Sequence, residues 1–206
     1  MLQASAASVS KIKFLLFLAL FLGLLAILLV FFISPQKTSN TAKVLVFSKP
    51  RELRPFQLNQ NLFSQKNLSQ HWTFLFFGFT HCSTVCPTTL TVLKEVYAHL
   101  HSYYPELQIV FVSIDPEREK TIDLQHYLAS YNKDFIGLAG TKEQLENLKQ
   151  QFGVYAEPSH SFIWNHSSSL FLINPKGQWL ALFPEGLHPK QIEEQFKIME
   201  KNYSHV

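Results

Sequence analysis

The chain has 206 residues, 47% of them hydrophobic and 16% charged, with a formal net charge of +3. That length holds one domain with a full core plus an appendage. The small positive balance comes without a block of like charges and without a Lys/Arg stripe interleaved with aromatics, so nucleic-acid binding is unsupported.

The appendage is at the start. Residues 1–13 form a polar tail, and Phe14 to Ile33 carries no charge, about the length that spans a bilayer as a helix. Lys11 and Lys13 precede this run while only Lys37 and Lys43 follow closely, which by the positive-inside rule puts the N-terminus in the cytoplasm. The competing reading is a cleavable signal peptide. The apolar run is long for that, and Ile33-Ser34-Pro35-Gln36 lacks a small-x-small cleavage signature, so an uncleaved single-pass anchor is expected. Residues 34–43 read as a linker and 44–206 as a folded domain outside the cytoplasm, on the periplasmic side of an inner membrane if the source is a bacterium. Cysteines there can be oxidised and need a thiol reductant to stay reduced.

Within the domain, strands are expected at Val44–Phe47, around Phe56–Leu58 and at Thr73–Phe79, the last an apolar run buried on both faces. A helix follows, with Leu90, Leu93, Val96, Tyr97 and Leu100 at helical spacing, then a strand at Gln108–Ile114 and a helix from Pro116 to about Ser130. A short strand near Phe135–Leu138 leads to a helix at Thr141–Phe152, opened by a Thr141/Gln144 capping box. Strand signals continue at Val154–Ala156, Ser169–Ile173 and Trp179–Phe183, the last two joined through the turn Asn174-Pro175-Lys176-Gly177. An amphipathic helix from His188 to Tyr203 closes the chain. Strands alternating with helices, ending in a hairpin and a helix, predict an α/β domain: a thioredoxin-like sheet flanked by helices, preceded by the transmembrane helix.

The only two cysteines, Cys82 and Cys86, fall where the central strand hands over to its helix. Unpaired amides and the dipole of a helix N-terminus stabilise a thiolate. Residues four apart share a helix face, so if Val85-Cys86 opens the helix both sulfurs can point the same way. Such a pair can close into a disulfide or clasp a soft ion: Cu(I), zinc or an iron–sulfur cluster, with a further ligand, commonly an imidazole, from elsewhere. A purely structural disulfide is the plain alternative, although so short a loop restrains the unfolded chain little.

From Phe56 to Phe183 the sequence resembles the Sco/SenC family of membrane-anchored copper chaperones. The family's G-[FY]-T-x-C-x-x-x-C-P is met by Gly78 to Pro87, its S-[IV]-D-P-x-R by Ser113 to Arg118, its L-x-G-[ST] by Leu138 to Thr141, and its H-[ST]-x-x-x-[YF]-L-[IV]-x-P-x-G by His166 to Gly177. The resemblance implies a thioredoxin-like fold and copper, Cu(I) or also Cu(II), held by Cys82, Cys86 and His166. It implies delivery to the copper-binding subunit of cytochrome c oxidase. His166, immediately before a strand that runs into a hairpin, is placed to bring an imidazole to the cysteine loop. Among the nine histidines, His160 is an alternative donor, His81 abuts Cys82 with its ring expected to point away, and His71, His99, His101, His126, His188 and His205 read as surface residues.

Asp115 has two readings. Followed by Pro116 and Glu117 it suits a helix N-cap. It also ends the strand beside the cysteine strand, and in the family this aspartate is associated with the copper site without being an established ligand. Two departures stand out: Ser83-Thr84 where the family usually has Pro-Asp, and Asn165 where it often has Asp before the histidine. Both make the site less negative. The second functional reading is a thiol–disulfide reductase using the redox dithiol Cys82/Cys86 to keep the oxidase's copper-site cysteines reduced. A peroxiredoxin-type activity lacks its P-x-x-x-T-x-x-C pattern.

Overall fold

The computed structural model describes residues 15–25, 43–60, 62–154, 156–158, 164–166 and 169–204. Contacts divide the chain into two compact units, Met1–Ser39 and Asn40–Val206. In the first, helix α1 spans 15–25 and exposes its apolar side chains, Phe17 and Leu20 among them. Among the described residues no helix is long and apolar enough to cross a membrane. The expected span at 14–33 extends outside the described residues on both sides.

The second unit runs β1 (Leu45–Arg51), β2 (Gln57–Leu58), β3 (Phe63–Ser64), a 3₁₀ turn (Gln65–Leu68), β4 (Trp72–Gly78), α2 (Val85–Leu100), β5 (Leu107–Ser113) and α3 (Thr121–Ala129). It continues through β6 (Ile136–Leu138), α4 (Lys142–Phe152), β7 (Ala156–Pro158), β8 (Trp164–His166), β9 (Leu170–Ile173), β10 (Trp179–Phe183) and α5 (Pro189–Ser204). Six strands form one sheet in the order β1-β10-β9-β4-β5-β6; β2/β3 and β7/β8 are separate two-stranded ribbons. β4, β5 and β6 are parallel, while β9, β10 and β1 join antiparallel on the other flank of β4. This is the α/β layout read from the sequence.

Alternation along β4 and β5 builds a core on each face. Trp72, Phe74 and Phe76 with Leu107, Ile109 and Phe111 meet the apolar stripes of α2, α3 and α5. Leu75 and Phe77 with Val110 and Val112 meet Leu145, Leu148 and Phe152 of α4 and the β2/β3 ribbon. A sheet covered on both faces needs continuous apolar strands, and every residue of β4 is buried. The edge strand β1 is mostly exposed. It carries Pro50 and loses register between Val46 and Arg51, as an edge tolerates and a central strand does not.

Several boundaries match expectation closely. β10 falls on Trp179–Phe183, and α4 opens with the full capping box: the Gln144 amide donates to Thr141 Oγ1 at 3.2 Å and the Thr141 amide to Gln144 Oε1 at 2.9 Å. At its end Gly153 adopts the left-handed conformation (φ 63) that glycine takes without strain. The helix expected from Pro116 is a correction. Pro116–Arg118 form a turn, Lys120 is extended (φ −107, ψ 154), and α3 begins only at Thr121. The strand expected at Val154–Ala156 lies later, at β7, in the ribbon with β8.

Phe196 of α5 is fully buried, with its ring 5.0 to 5.8 Å from those of Tyr104, Trp72 and Phe74. Truncating it opens a cavity between helix and sheet. Phe196→Ala is expected to lower unfolding stability by about 3–5 kcal/mol, read by equilibrium denaturation.

Candidate metal centre

β4 stops at Gly78 and the chain turns through Phe79–Thr84 into α2. The Cys82 amide donates to the Phe79 carbonyl at 3.2 Å, which closes the turn. Thr84 occupies the N-cap of α2 but its side chain makes no capping bond. The Cys82 sulfur takes that place: it accepts the Cys86 amide at 3.4 Å and hydrogen bonds from the Thr84 and Val85 amides and the Cys86 thiol. Half-burial pushes the Cys82 thiol up, but these donors together outweigh it and hold the thiol below its ordinary value. Both cysteines stand as thiols.

Cys86 is fully buried, on the sheet side of α2. A β-carbon on Gly78 would lie 2.9 Å from Cys86 Sγ and 2.8 Å from Phe111 Cε2, so only glycine at the end of β4 lets this sulfur rest against the strand. Burial pushes the Cys86 thiol far above the ordinary range; a hydrogen bond from the Phe79 backbone opposes this, and the Cys82 sulfur and Glu119 add to it. The pair is therefore split into an outer, activated sulfur and an inner, protonated one.

Beside it lies the end of β5. Asp115 is buried, and its Oδ2 accepts from Arg118 Nε at 2.6 Å. It does not cap α3, whose N-cap is Lys120, because the turn at Pro116–Arg118 separates the two. The cap reading is thus corrected: Asp115 holds Arg118. Sequence reasoning missed Glu119, which is buried at the same edge. Its carboxylate accepts from the Thr80 amide and from Ser113 Oγ. No periodicity marks such an acid; the only signal was its place one residue after the S-[IV]-D-P-x-R run.

His166 ends β8, where its backbone pairs with Ala156. Its side chain lies outside the described residues, as does all of His160. The topology still limits where His166 lies. β9 runs antiparallel to β4 with Leu170 opposite Phe76, so the chain enters β9 at the edge from which β4 departs towards Cys82. Leu170 is four steps along the chain from His166, a reach of at most about 14 Å. Among the described residues no group of three His, Cys, Asp or Glu side chains is placed to hold a metal. His81 is exposed with Nδ1 3.1 Å from Thr80 Oγ1. His101 departs from the surface reading: its ring stacks on Tyr97 at 4.5 Å and its Nδ1 is buried.

Comparison with known proteins agrees with this arrangement. A family model described as SCO1/SenC matches residues 48–200. The SCO2-like protein of Rickettsia felis is 31% identical over 145 residues, covering 68% of this chain and 71% of that protein. Yeast Sco1 with copper bound has a TM-score of 0.66 at 28% identity, covering 76% of this chain and 91% of that one. BsSco, a member of the Sco family of cytochrome c oxidase assembly proteins, shares the fold with a TM-score of 0.60 at 22% identity, over 74% of this chain and 96% of that one.

The split between the sulfurs has a direct readout, because the thiolate is the form that alkylates. In native protein, iodoacetamide is expected to modify Cys82 with a pH midpoint below that of an ordinary thiol, while Cys86 reacts only on unfolding. Peptide mass spectrometry across a pH series checks this. Gly78→Ala, which displaces the Cys86 sulfur, is expected to expose Cys86 to the reagent.

Proposed function

The chain belongs to the SCO1/SenC family, and on that premise we propose that it is a membrane-anchored copper chaperone that binds copper through Cys82, Cys86 and His166 and delivers it to the copper centre of cytochrome c oxidase. The observation that carries the reading is the pair of sulfurs in hydrogen-bond contact at the mouth of the sheet, one buried and one half-exposed. Two soft thiolates suit Cu(I), and an imidazole completes a three-coordinate set. Copper here is cargo. An ion held on one side by a buried sulfur and on the other by an accessible one can be met by an acceptor's ligand at Cys82 and passed on by stepwise exchange.

The entry of β9 beside the end of β4 supports His166 as the third donor, since it brings the segment after His166 to the rim that carries the cysteines. Ser83 and Thr84 are exposed where the family pattern usually has Pro-Asp, and with Asn165 they leave this site with fewer carboxylates than that pattern. Asp115 serves beside the site by fixing the turn at Arg118.

The anchor belongs to the same proposal. Residues 1–13 lie in the cytoplasm, 14–33 cross the inner membrane, 34–43 form the linker and 44–206 stand on the periplasmic side. The tether raises the domain's effective concentration near a membrane-bound acceptor.

The inequality of the two thiols favours a second reading, reduction of the oxidase's copper-site disulfide. The Cys82 thiolate attacks one sulfur of that disulfide, forming a mixed disulfide and releasing one thiolate. Cys86 then gives up its proton and attacks Cys82, releasing the second substrate thiol and closing a Cys82–Cys86 disulfide, which an external thiol reductant reopens.

One titration separates the readings. The full-length protein is expected to bind one equivalent of Cu(I), competed against a chromophoric chelator. Cys82→Ser and Cys86→Ser should abolish binding, and His166→Ala should weaken it at least tenfold while leaving reduction of a model disulfide intact. Binding unchanged in His166→Ala would remove the imidazole from the site. For the anchor, the chain is expected to stay in the membrane fraction after alkaline carbonate extraction and to be cut by protease only from the periplasmic side.

A further inference from the structure

β1 is the outer strand of the six-stranded sheet, with no strand on its far side among the described residues. Two adjacent apolar side chains stand in solvent there, Leu45 at 54% and Val46 at 45% exposure. The other large apolar side chains exposed on this unit, Leu62, Tyr103 and Ile198, are scattered along the chain. Basic residues flank the pair in sequence: Lys43, Lys49, Arg51 and Arg54 are all exposed. The Arg51 guanidinium lies 4.0 Å from the centre of the Phe47 ring and 5.1 Å from that of Trp179, which holds it at the edge. The single acid of this stretch, Glu52, accepts from Gln178 Nε2 at 2.6 Å.

Lysine and proline on a sheet edge commonly do no more than keep other strands from pairing. That purpose explains Lys49 and Pro50, but not an exposed Leu-Val pair, which invites pairing. The charge is also unevenly spread. Residues 43–54 hold four Lys/Arg against one Asp/Glu, whereas residues 55–206 hold 11 against 14. A basic edge is thus set against an acidic remainder, and it is the part of the domain that follows the linker.

We propose that the β1 edge is a docking surface for an anionic lipid bilayer: Lys43, Lys49, Arg51 and Arg54 meet the lipid phosphates, and Leu45 and Val46 enter the interfacial layer. The proposal rests on the anchored reading above, in which residues 34–43 allow Lys43 no more than about 36 Å from the end of the span. Attraction to headgroups fades within a Debye length, so a basic patch acts only where the chain keeps it close. Repulsion of the acidic remainder by the same headgroups turns the domain edge-on. Leu45 pairs with Leu182, Leu182 with Phe171 and Phe171 with Leu75. One row across the sheet therefore runs from the docked edge to β4, shortly before that strand ends at Gly78. Three strand spacings come to about 14 Å, so docking fixes the height at which Cys82 and Cys86 stand above the bilayer.

The test reads hydrogen exchange by mass spectrometry on full-length protein held one copy per nanodisc, in phosphatidylcholine alone and with about a third phosphatidylglycerol. Peptides covering residues 43–54 are expected to exchange about fivefold more slowly in the anionic discs, and to lose that protection in 1 M salt, where the Debye length is about 3 Å. The triple variant Lys43→Gln, Lys49→Gln, Arg54→Gln is expected to exchange alike in both lipids. Equal exchange of the wild type in both lipids would overturn docking and leave the edge to solvent or to a protein partner. Protection that persists in salt would overturn the electrostatic part. If the triple variant does not fold, the wild-type comparison decides alone. A chain that elutes apart from the discs refutes the anchor and the proposal with it, whereas a chain that stays in the discs without protection refutes the docking only.

Discussion

The first turn of α2 leaves its amides without a side-chain oxygen, and the Cys82 sulfur fills the vacancy. A helix start needs an acceptor, and a thiolate is a strong one, so the same hydrogen bonds that finish the helix also activate the sulfur. The rest of the site is arranged around that bond. Gly78 leaves room for Cys86 behind it, Glu119 steadies the approach to it, and the covered sheet gives it a rigid base. At Cys86 the hydrogen bond from the Phe79 backbone does not offset burial against Phe111 and the end of β4. Two identical side chains thus acquire opposite characters from position alone.

Much of the scaffold was legible in the sequence because it obeys simple periodicities. Phe74 to Phe77 can only be a strand covered on both sides, Leu90 to Leu100 marks the buried stripe of α2, and the Asn174–Gly177 turn fixed the hairpin. The start of α3 was misread for a physical reason. Asp115-Pro116-Glu117 carries a good helix-opening signature, but Glu119 turns inward to Ser113 and Thr80, and the backbone extends at Lys120 before helix resumes. A local signal lost to a long-range bond. Glu119 itself left no local trace, since a buried acid is defined by partners 6 and 39 residues away. Of the proposed site, the two cysteines could be found from the strand–helix junction alone, whereas the case for His166 needed the ordered set of motifs, because no spacing rule ties a lone histidine to a loop so distant in sequence.

The fold does not select the chemistry, since the same layered sheet serves many activities. What narrows it here is the mouth of the sheet: the spacing of the cysteines, the unequal environments of their sulfurs, and the strand order that returns the chain beside them. Ser83 and Thr84 matter in that light. They are exposed between the two cysteines and bring no charge, and the amides of the turn are the main polar influence on Cys82.

The strand order also bears on how the domain is made. β4 gains its parallel neighbour β5 after a single helix, but its opposite flank waits for β9, which follows α3, β6, α4 and the β7/β8 ribbon in the chain. While the polypeptide emerges from its N-terminal end, one side of the central strand stays unzipped along Thr73–Phe76 until Leu170–Ile173 has been delivered. A product truncated between Cys86 and that point carries both cysteines on a sheet that cannot close, and is a natural target for quality-control proteases.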